Sequence, residues 1–316
     1  MPVDVPYAES SGPMRRLLPV ALCIPLLLTA CANNDVPPPT PTPNAVQSGG
    51  PSFSDLKTQA DVAAMVPGDI SSSGTLRVGI SPTMAPAQYE GAQSGEYHGY
   101  TIALMKAVTT VMGVDVEFIK VDFPELIRGV GKDYDVAASS LSVTPERLEQ
   151  ANMVTYATVD SSFVVATSPK TPLADDFPCG AAVSVLKGTS QQRILATLSA
   201  ECVEDDAKPI SIKEYSSDQK EMFSDVSRGT IAAAFTDSDS AQYAVKNSLG
   251  RIRLEGTPIS PQPQGVAVPI TNAQLTVAIQ AAIQYLLDNG YVEAIFQSYK
   301  VSEIAVNQST INPRVN

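Results

Sequence analysis

The sequence predicts an α/β fold with a mainly parallel sheet, on three observations. Between Gly74 and Ala138, short apolar strands alternate with helical stretches, and this strand–helix order is the grammar of a parallel sheet. A second set with the same alternation runs from Ser162 to Val268. Small hydroxyl, glycine and acidic residues stand just past several of these strands, where open α/β sheets bind ligands. Two such units imply a cleft between them. A chain of 316 residues, 44% apolar, is long enough for two medium domains with real cores.

Taken in order, residues 53–70 read as a short helical lead-in ending at Pro67-Gly68. A compact strand follows over 74–80 and closes on Ser81-Pro82. The stretch 100–112 is amphipathic and ends at Gly113, a helix with its stop signal. Residues 114–121 alternate apolar and charged side chains, as a half-buried strand does. A short helix is expected over 123–130 and a strand over 135–138. In the second set, strands are expected over 162–167, 181–186, 210–215, 231–235 and 265–268, with helices over 191–200 and 219–228. A long helix over 272–287 and another reaching Tyr299 close the chain.

Thr144-Pro145-Glu146-Arg147 is a strong helix start, with Thr144 as N-cap, Pro145 first in the helix and Glu146 in the first turn. Arg147 in that turn opposes the helix dipole by roughly 0.3–1 kcal/mol. A residue that works against its own element invites a functional explanation. Free N–H groups, a guanidinium fork and the hydroxyls of Ser140 and Ser142 together make a receptor for a carboxylate. The plainer alternative is an ion pair of Arg147 with Glu146 or Glu149 on a solvated face.

The N-terminus reads as a targeting segment. Arg15-Arg16 precede the apolar run 17–28, which is too short to span a bilayer. Met14, just before the arginines, is an alternative start. Leu28-Thr29-Ala30-Cys31 resembles the lipobox of bacterial lipoproteins. The expectation is a signal peptide over 1–30, lipidation at Cys31, and anchoring to the outer face of the bacterial cytoplasmic membrane. Ordinary secretion with cleavage after Ala30 is the alternative. Residues 36–51 are rich in Pro, Thr, Asn, Ser and Gly, favour polyproline geometry, and read as a stalk. At about 3.1 Å per residue, twenty residues of such chain reach roughly 60 Å. The net charge of −12 argues against a nucleic-acid partner, which needs a basic face.

Of four cysteines, Cys23 lies in the signal segment and Cys31 at the lipid site. Cys179 and Cys202 remain, in an oxidising setting, with spacing unlike a zinc site and one histidine, His98, in the chain. A disulfide between them is expected, with two buried free thiols as the alternative. No metal or cofactor is expected. His98, beside Gly99 in a loop, reads as an exposed residue.

From about Gly74 to Tyr299 the chain resembles the extracellular solute-binding proteins of polar amino-acid ABC transporters, the type II periplasmic binding proteins. The matching pieces are Gly74-Thr75-Leu76-Arg77-Val78-Gly79, Gly99-Tyr100, and Ser142-Val143-Thr144-Pro145-Glu146-Arg147. Lys187-Gly188-Thr189-Ser190, Asp237 and the tail Leu287-Asp288-Asn289-Gly290 with Ile295 and Tyr299 complete the series. The resemblance implies two lobes joined by two crossover strands, with the ligand cleft between them. Residues 31–70 would be anchor, linker and lead-in, 71–164 with 262–316 lobe 1, and 165–261 lobe 2.

The resemblance also implies a division of labour. Arg147 takes the ligand α-carboxylate, helped by Ser142 and the backbone at Ser140, and Asp237 takes the α-ammonium group from the other lobe. Thr189 and Ser190 add contacts to the carboxylate. Phe123 packs an aromatic ring on the ligand, and Ser81 and Met84 line the first cleft loop. Meeting both charges of a zwitterion at once offsets its desolvation. Lys187 faces solvent or pairs with an acidic ligand side chain. In plainer readings Asp237 is a helix cap and Phe123 a core residue. The chain departs from the family's pattern at Ala87, Thr101, Ala232, Met153-Val154-Thr155-Tyr156 and Tyr299, which leaves the side-chain pocket open.

The implied function is a lipid-anchored, monomeric receptor that binds a polar L-amino acid, glutamate- or glutamine-like, and delivers it to a membrane-embedded ABC permease. The alternatives are an enzyme on the same fold, a dehydratase acting on a small carboxylate, or a ligand-sensing surface lipoprotein. The sequence holds no Ser-His-Asp or Cys-His set for catalysis.

Overall fold

The alternation read from the sequence organises itself around two strands far longer than their apolar runs. A computed structural model describes residues 51–170, 173–174, 176–216 and 219–315. The signal segment, Cys23, Cys31 and all of the Pro/Thr-rich stretch except Pro51 lie outside the described residues. In chain order come α1 (Ala60–Ala63), α2 (Gly68–Ser73), β1 (Thr75–Ile80), β2 (Thr83–Met84), β3 (Gln88–Glu90), β4 (Tyr97–His98) and α3 (Tyr100–Met112). Next are β5 (Asp115–Lys120), α4 (Leu126–Gly129), β6 (Val136–Ser142), α5 (Pro145–Leu148) and β7 (Ala151–Ala166). The middle of the chain forms β8 (Ala182–Leu186), α6 (Ser190–Glu204), β9 (Ser211–Tyr215), α7 (Gln219–Ser227), β10 (Ala233–Asp237) and α8 (Ser238–Asn247). It closes with β11 (Ile252–Pro269), α9 (Ala273–Asp288) and α10 (Tyr291–Tyr299).

One eight-stranded sheet runs β5-β1-β6-β11-β7-β10-β8-β9, and a small sheet holds β2, β3 and β4. The large sheet is mixed where the sequence predicted mainly parallel. Its flanks are parallel, β5 and β6 on β1 and β9 and β10 on β8, but β7 and β11 at its centre run antiparallel to each other and to their outer neighbours. β7 and β11 pair from Ala151↔Pro269 to Ala166↔Ile252, with register shifts between Glu255, Ile259, Gln262 and Gly265. One end of this ribbon joins β6 and the other joins β10. Pro258, Pro261 and Pro263 fall in the irregular middle, since a proline gives the ladder no donor and sits at bulges or edges.

Local chemistry explains most boundaries. Gly74 and Gly113 end α2 and α3 in the left-handed conformation, and Asn272 caps α9 by accepting from the Leu275 amide at 3.0 Å. The lead-in differs from expectation: Pro67-Gly68 begins a helix, because Pro67 serves as its N-cap. The serines predicted to follow the 135–138 strand belong to β6 itself, which is buried along its whole length. α8 follows Asp237, where a helix was expected only in the alternative reading of that residue as a cap. Gly99 has φ +119, and a Cβ there would lie 2.1 Å from the Ala87 carbonyl oxygen, so only glycine fits.

One core cluster packs α3 (Leu104, Val108, Val111) against α9 (Ile279, Ile283, Leu286) and α10 (Ile295, Phe296), with Leu56, Val62 and Ile70 of the lead-in joining it. Burying each of these aliphatic side chains contributes roughly 1.5–3 kcal/mol. Another gathers Phe163, Val165, Val183, Leu195 and Phe235 with Cys202, which is bonded to Cys179 as the expected disulfide, Cα atoms 5.6 Å apart. The C-terminal segment lies along β7: Thr310 donates its amide to Thr155 Oγ1 at 2.9 Å and Asn312 to the Met153 carbonyl at 2.8 Å. Among the described residues no helix is long and apolar enough to cross a membrane.

Candidate functional site

Three polar chain ends meet where the two halves of the large sheet adjoin: the end of β6 with α5, the start of α6, and the β10–α8 junction. Thr144 caps α5 as expected, its Oγ1 accepting the Arg147 amide at 3.3 Å. α5 is only four residues long, so Arg147 opposes little dipole and is held by specific contacts instead. Its guanidinium donates to the Ser142 carbonyl at 2.7 Å and to the Gly188 carbonyl at 3.1 Å, which ties β6 to the turn before α6. The guanidinium carbon stands 5.6 Å from the centre of the Phe123 ring. No ion pair with Glu146 or Glu149 is made, against the plainer sequence reading. Burial pulls the Arg147 pKa down to about 10, with the charges of Asp237 and Glu146 opposing.

The α6 start supplies the facing wall. Thr189 is the N-cap, accepting from the Gln192 amide at 3.4 Å while donating to the Leu186 carbonyl at 2.7 Å, so its hydroxyl serves the fold. Ser190 Oγ lies 2.9 Å from Ser142 Oγ, a contact between the two predicted carboxylate-site serines. A cavity of about 360 Å³ opens here, lined by Thr144, Arg147, Thr189, Ser190 and Arg193 among others. Lys187 is exposed and stands apart from this cavity's lining.

Asp237 ends β10 and is buried. It is the residue before α8, yet its side chain makes no cap bond. Gln191 donates to Oδ1 at 2.6 Å and Gln264 to Oδ2 at 3.1 Å, so the carboxylate is presented inward between α6 and β11. Burial raises its pKa well above the usual carboxylate range, and Asp239 adds to the shift. The structure thus brings Arg147, Ser142 and Phe123 on one side of the junction against Thr189 and Ser190 on the other, with Asp237 beyond them on that second side. Phe123 is both buried in the core and under the Arg147 guanidinium.

The other predicted residues are placed around this set. Ser140 holds φ +50 within β6, a strained value for a residue other than glycine, and donates to Gln88 Oε1 at 3.2 Å. Ser81 gives its amide to Ser139 Oγ at 3.0 Å, and Met84 is buried in the core. Sequence reasoning missed Gln191, Gln264, Tyr100 and Asp239. Tyr100, at the start of α3, donates its hydroxyl to Asp239 Oδ2 at 2.9 Å across the junction. The repeat Asp237-Ser238-Asp239-Ser240 was the one available signal for Asp239.

The model of the bacterial extracellular solute-binding proteins, family 3, matches residues 76–302. The arginine-binding protein ArgT of Corynebacterium glutamicum is 28% identical over 254 residues, which cover 80% of this chain and 83% of that protein. The L-cystine-binding protein TcyJ of Escherichia coli is 22% identical over 229 residues, covering 72% and 82%. Among solved structures, an ancestral arginine-binding protein bound to arginine superposes with a TM-score of 0.62 at 24% identity, covering 72% of this chain and 98% of that one. An ancestral amino acid-binding protein that is a precursor of cyclohexadienyl dehydratase reaches 0.60 at 22%, covering 73% and 97%.

Proposed function

The chain belongs to family 3 of the bacterial extracellular solute-binding proteins, and from that premise we propose that it is the receptor of an ABC transporter for a polar L-amino acid. The observation that carries this reading is a guanidinium at Arg147, on the α5 turn, and a buried acid at Asp237, at the end of β10, which make no direct bond to each other but stand close enough for each charge to act on the other. A zwitterion leaving water needs an opposite charge for each of its ends. Arg147 takes the α-carboxylate, with Ser142 and Ser190 donating hydroxyls, and Asp237 takes the α-ammonium group. Relatives named for arginine, cystine and glutamine binding support an amino-acid ligand.

In this reading, residues 71–164 with 262–316 form one lobe and 165–261 the other, and they hinge at the irregular middle of β7 and β11. A ligand held from both lobes favours the closed form, which a permease then recognises. Anchoring at Cys31 on the outer face of the cytoplasmic membrane, with residues 36–51 as a stalk, keeps the receptor near that permease as a monomer. Calorimetric titration of the purified protein with the common L-amino acids tests the reading. At least one polar amino acid binds with one-to-one stoichiometry and is recovered unchanged. Silence across the panel contradicts the receptor, and conversion of a bound amino acid favours the dehydratase-like enzyme instead.

A further inference from the structure

The amino-acid reading leaves a second buried acid unexplained. Asp239 is 2% exposed, and its Oδ1 has no partner in hydrogen-bonding geometry, although the backbone amides of Asp239 and Ser240 lie close to the carboxylate. It stands two residues beyond the Asp237 cap position, in the first turn of the ten-residue α8. Tyr100, which holds its other oxygen, belongs to the half of the sheet carrying β1, whereas Asp239 belongs to the half carrying β10. The contact therefore spans the same junction as Arg147 and Asp237.

Unpartnered buried atoms gather around it. Besides Asp239 Oδ1 they are Gln264 Oε1, Gln88 Nε2, and the hydroxyls of Thr101, Tyr156 and Ser240. They form one neighbourhood. Gln264 is bonded to Asp237, Gln88 to Ser140, and the Tyr156 hydroxyl lies beside Thr101 and Ser140 without hydrogen-bonding geometry to either. Each such group left unmet costs roughly 1–3 kcal/mol, so a cluster of six needs an explanation. Two of the six, Asp239 Oδ1 and Gln264 Oε1, only accept, and call for a donor.

Charge points the same way. The buried junction holds one cation, Arg147, and two acids, Asp237 and Asp239, whose charged forms burial disfavours; a zwitterion answers one of them, and a second cation beside the other would hold it ionised. The first-lobe wall predicted for the ligand side chain, Ser81, Met84 and Phe123, offers no charge. Aromatic rings stand near: Tyr243 is one helical turn beyond Asp239, and Tyr89 neighbours both Tyr243 and Tyr299. Rings of this kind favour a cation over an anion.

We propose that the ligand side chain is a cation, a guanidinium or ammonium group of an arginine- or lysine-like amino acid, and that Asp239 is the residue that reads it. This rests on the amino-acid receptor reading. Asp237 has both oxygens engaged by glutamines and serves the α-ammonium, while Asp239, oriented by Tyr100, keeps an oxygen that no side chain engages for the ligand side chain. Glutamate, which would add a negative charge beside two carboxylates, is rejected.

The test is calorimetric titration of the purified protein and its Asp239→Asn and Tyr100→Phe variants with L-arginine, L-lysine, L-glutamine and L-glutamate. In the parent, arginine or lysine binds at least tenfold more tightly than glutamine, and glutamate gives no heat. Asp239→Asn loses at least thirtyfold toward the cationic ligand and stays within threefold toward glutamine. Tyr100→Phe, which keeps the ring and its packing, loses three- to tenfold toward the cation alone. Equal or tighter binding of glutamine or glutamate in the parent, or an arginine affinity unmoved by both variants, overturns the cation assignment and leaves the receptor reading standing. No binding of any of these or of the other common amino acids by the parent overturns the receptor reading, and this inference with it.

Discussion

Replacing Arg147 by alanine removes the guanidinium proposed to hold the ligand carboxylate. Three of its contacts are lost: the Ser142 carbonyl at 2.7 Å, the Gly188 carbonyl at 3.1 Å and the Phe123 ring at 5.6 Å. The fold tolerates this, since the Arg147 side chain is only half-buried and the Gly188 carbonyl lies by a cavity that admits water. The expected loss of stability is about 1 kcal/mol. Binding suffers far more, because a ligand carboxylate deprived of its cation in a buried site loses roughly 3–5 kcal/mol. That corresponds to a drop in affinity of about 100- to 5,000-fold. Arg147→Lys keeps the charge but not the planar fork, and loses roughly 10- to 100-fold. Calorimetry of the three proteins against the best amino-acid ligand, with thermal melts alongside, gives both quantities. An alanine variant that binds within threefold of the parent refutes the carboxylate assignment.

Three further outcomes follow from the structure. Substituting Cys179→Ala together with Cys202→Ala opens a loop closed by residues 23 apart, which costs about 3 kcal/mol on the chain-entropy model and lowers the melting temperature by roughly 10 °C; an unchanged melt contradicts it. Gly99→Ala forces a Cβ against the Ala87 carbonyl at a φ that side chains avoid, so it destabilises by at least about 2 kcal/mol in denaturant titration. Burial raises the Asp239 carboxyl from its ordinary value to about 6, with Asp237 and Glu303 facing it as like charges and Tyr100 donating to it. Its folded form therefore takes up a proton that the unfolded chain does not hold near pH 5, and stability in the ligand-free state rises as pH falls from 7.5 through 6. Asp239→Asn reduces that rise, and the part that remains belongs to Asp237, whose carboxyl is also raised by burial, while Glu90, Glu146 and Asp225, whose pKa values are lowered, act only at more acid pH.

Much of this arrangement was legible in the chain. Arg147 announces itself by sitting in a helix start, and Asp237 by standing at the end of an apolar strand. Gly113 marks the end of α3, as the sequence says. The long ribbon was not legible, because Gly256, Pro258, Pro261 and Pro263 read as loop residues, and only pairing with β7 makes β11 a strand. Gln264, which orients Asp237, hides in that stretch. The Tyr100–Asp239 contact joins residues 139 apart, and no local pattern signals it. α8 entered only through the alternative reading of Asp237 as a helix cap, because its buried residues are mostly Ser238, Asp239 and Ser240, polar groups that give no apolar period.

The two-ended grip on a zwitterion is tested most directly by comparing one amino acid with its own truncations. The tightest-binding L-amino acid from the panel is titrated beside its decarboxylated amine and its deaminated acid. If Arg147 and Asp237 divide the ligand as proposed, each truncation leaves one buried charge unanswered, and each binds at least about 100-fold more weakly than the parent amino acid. If either truncated compound binds within threefold of the intact amino acid, that end of the ligand is not held, and the division of labour between the two lobes is wrong.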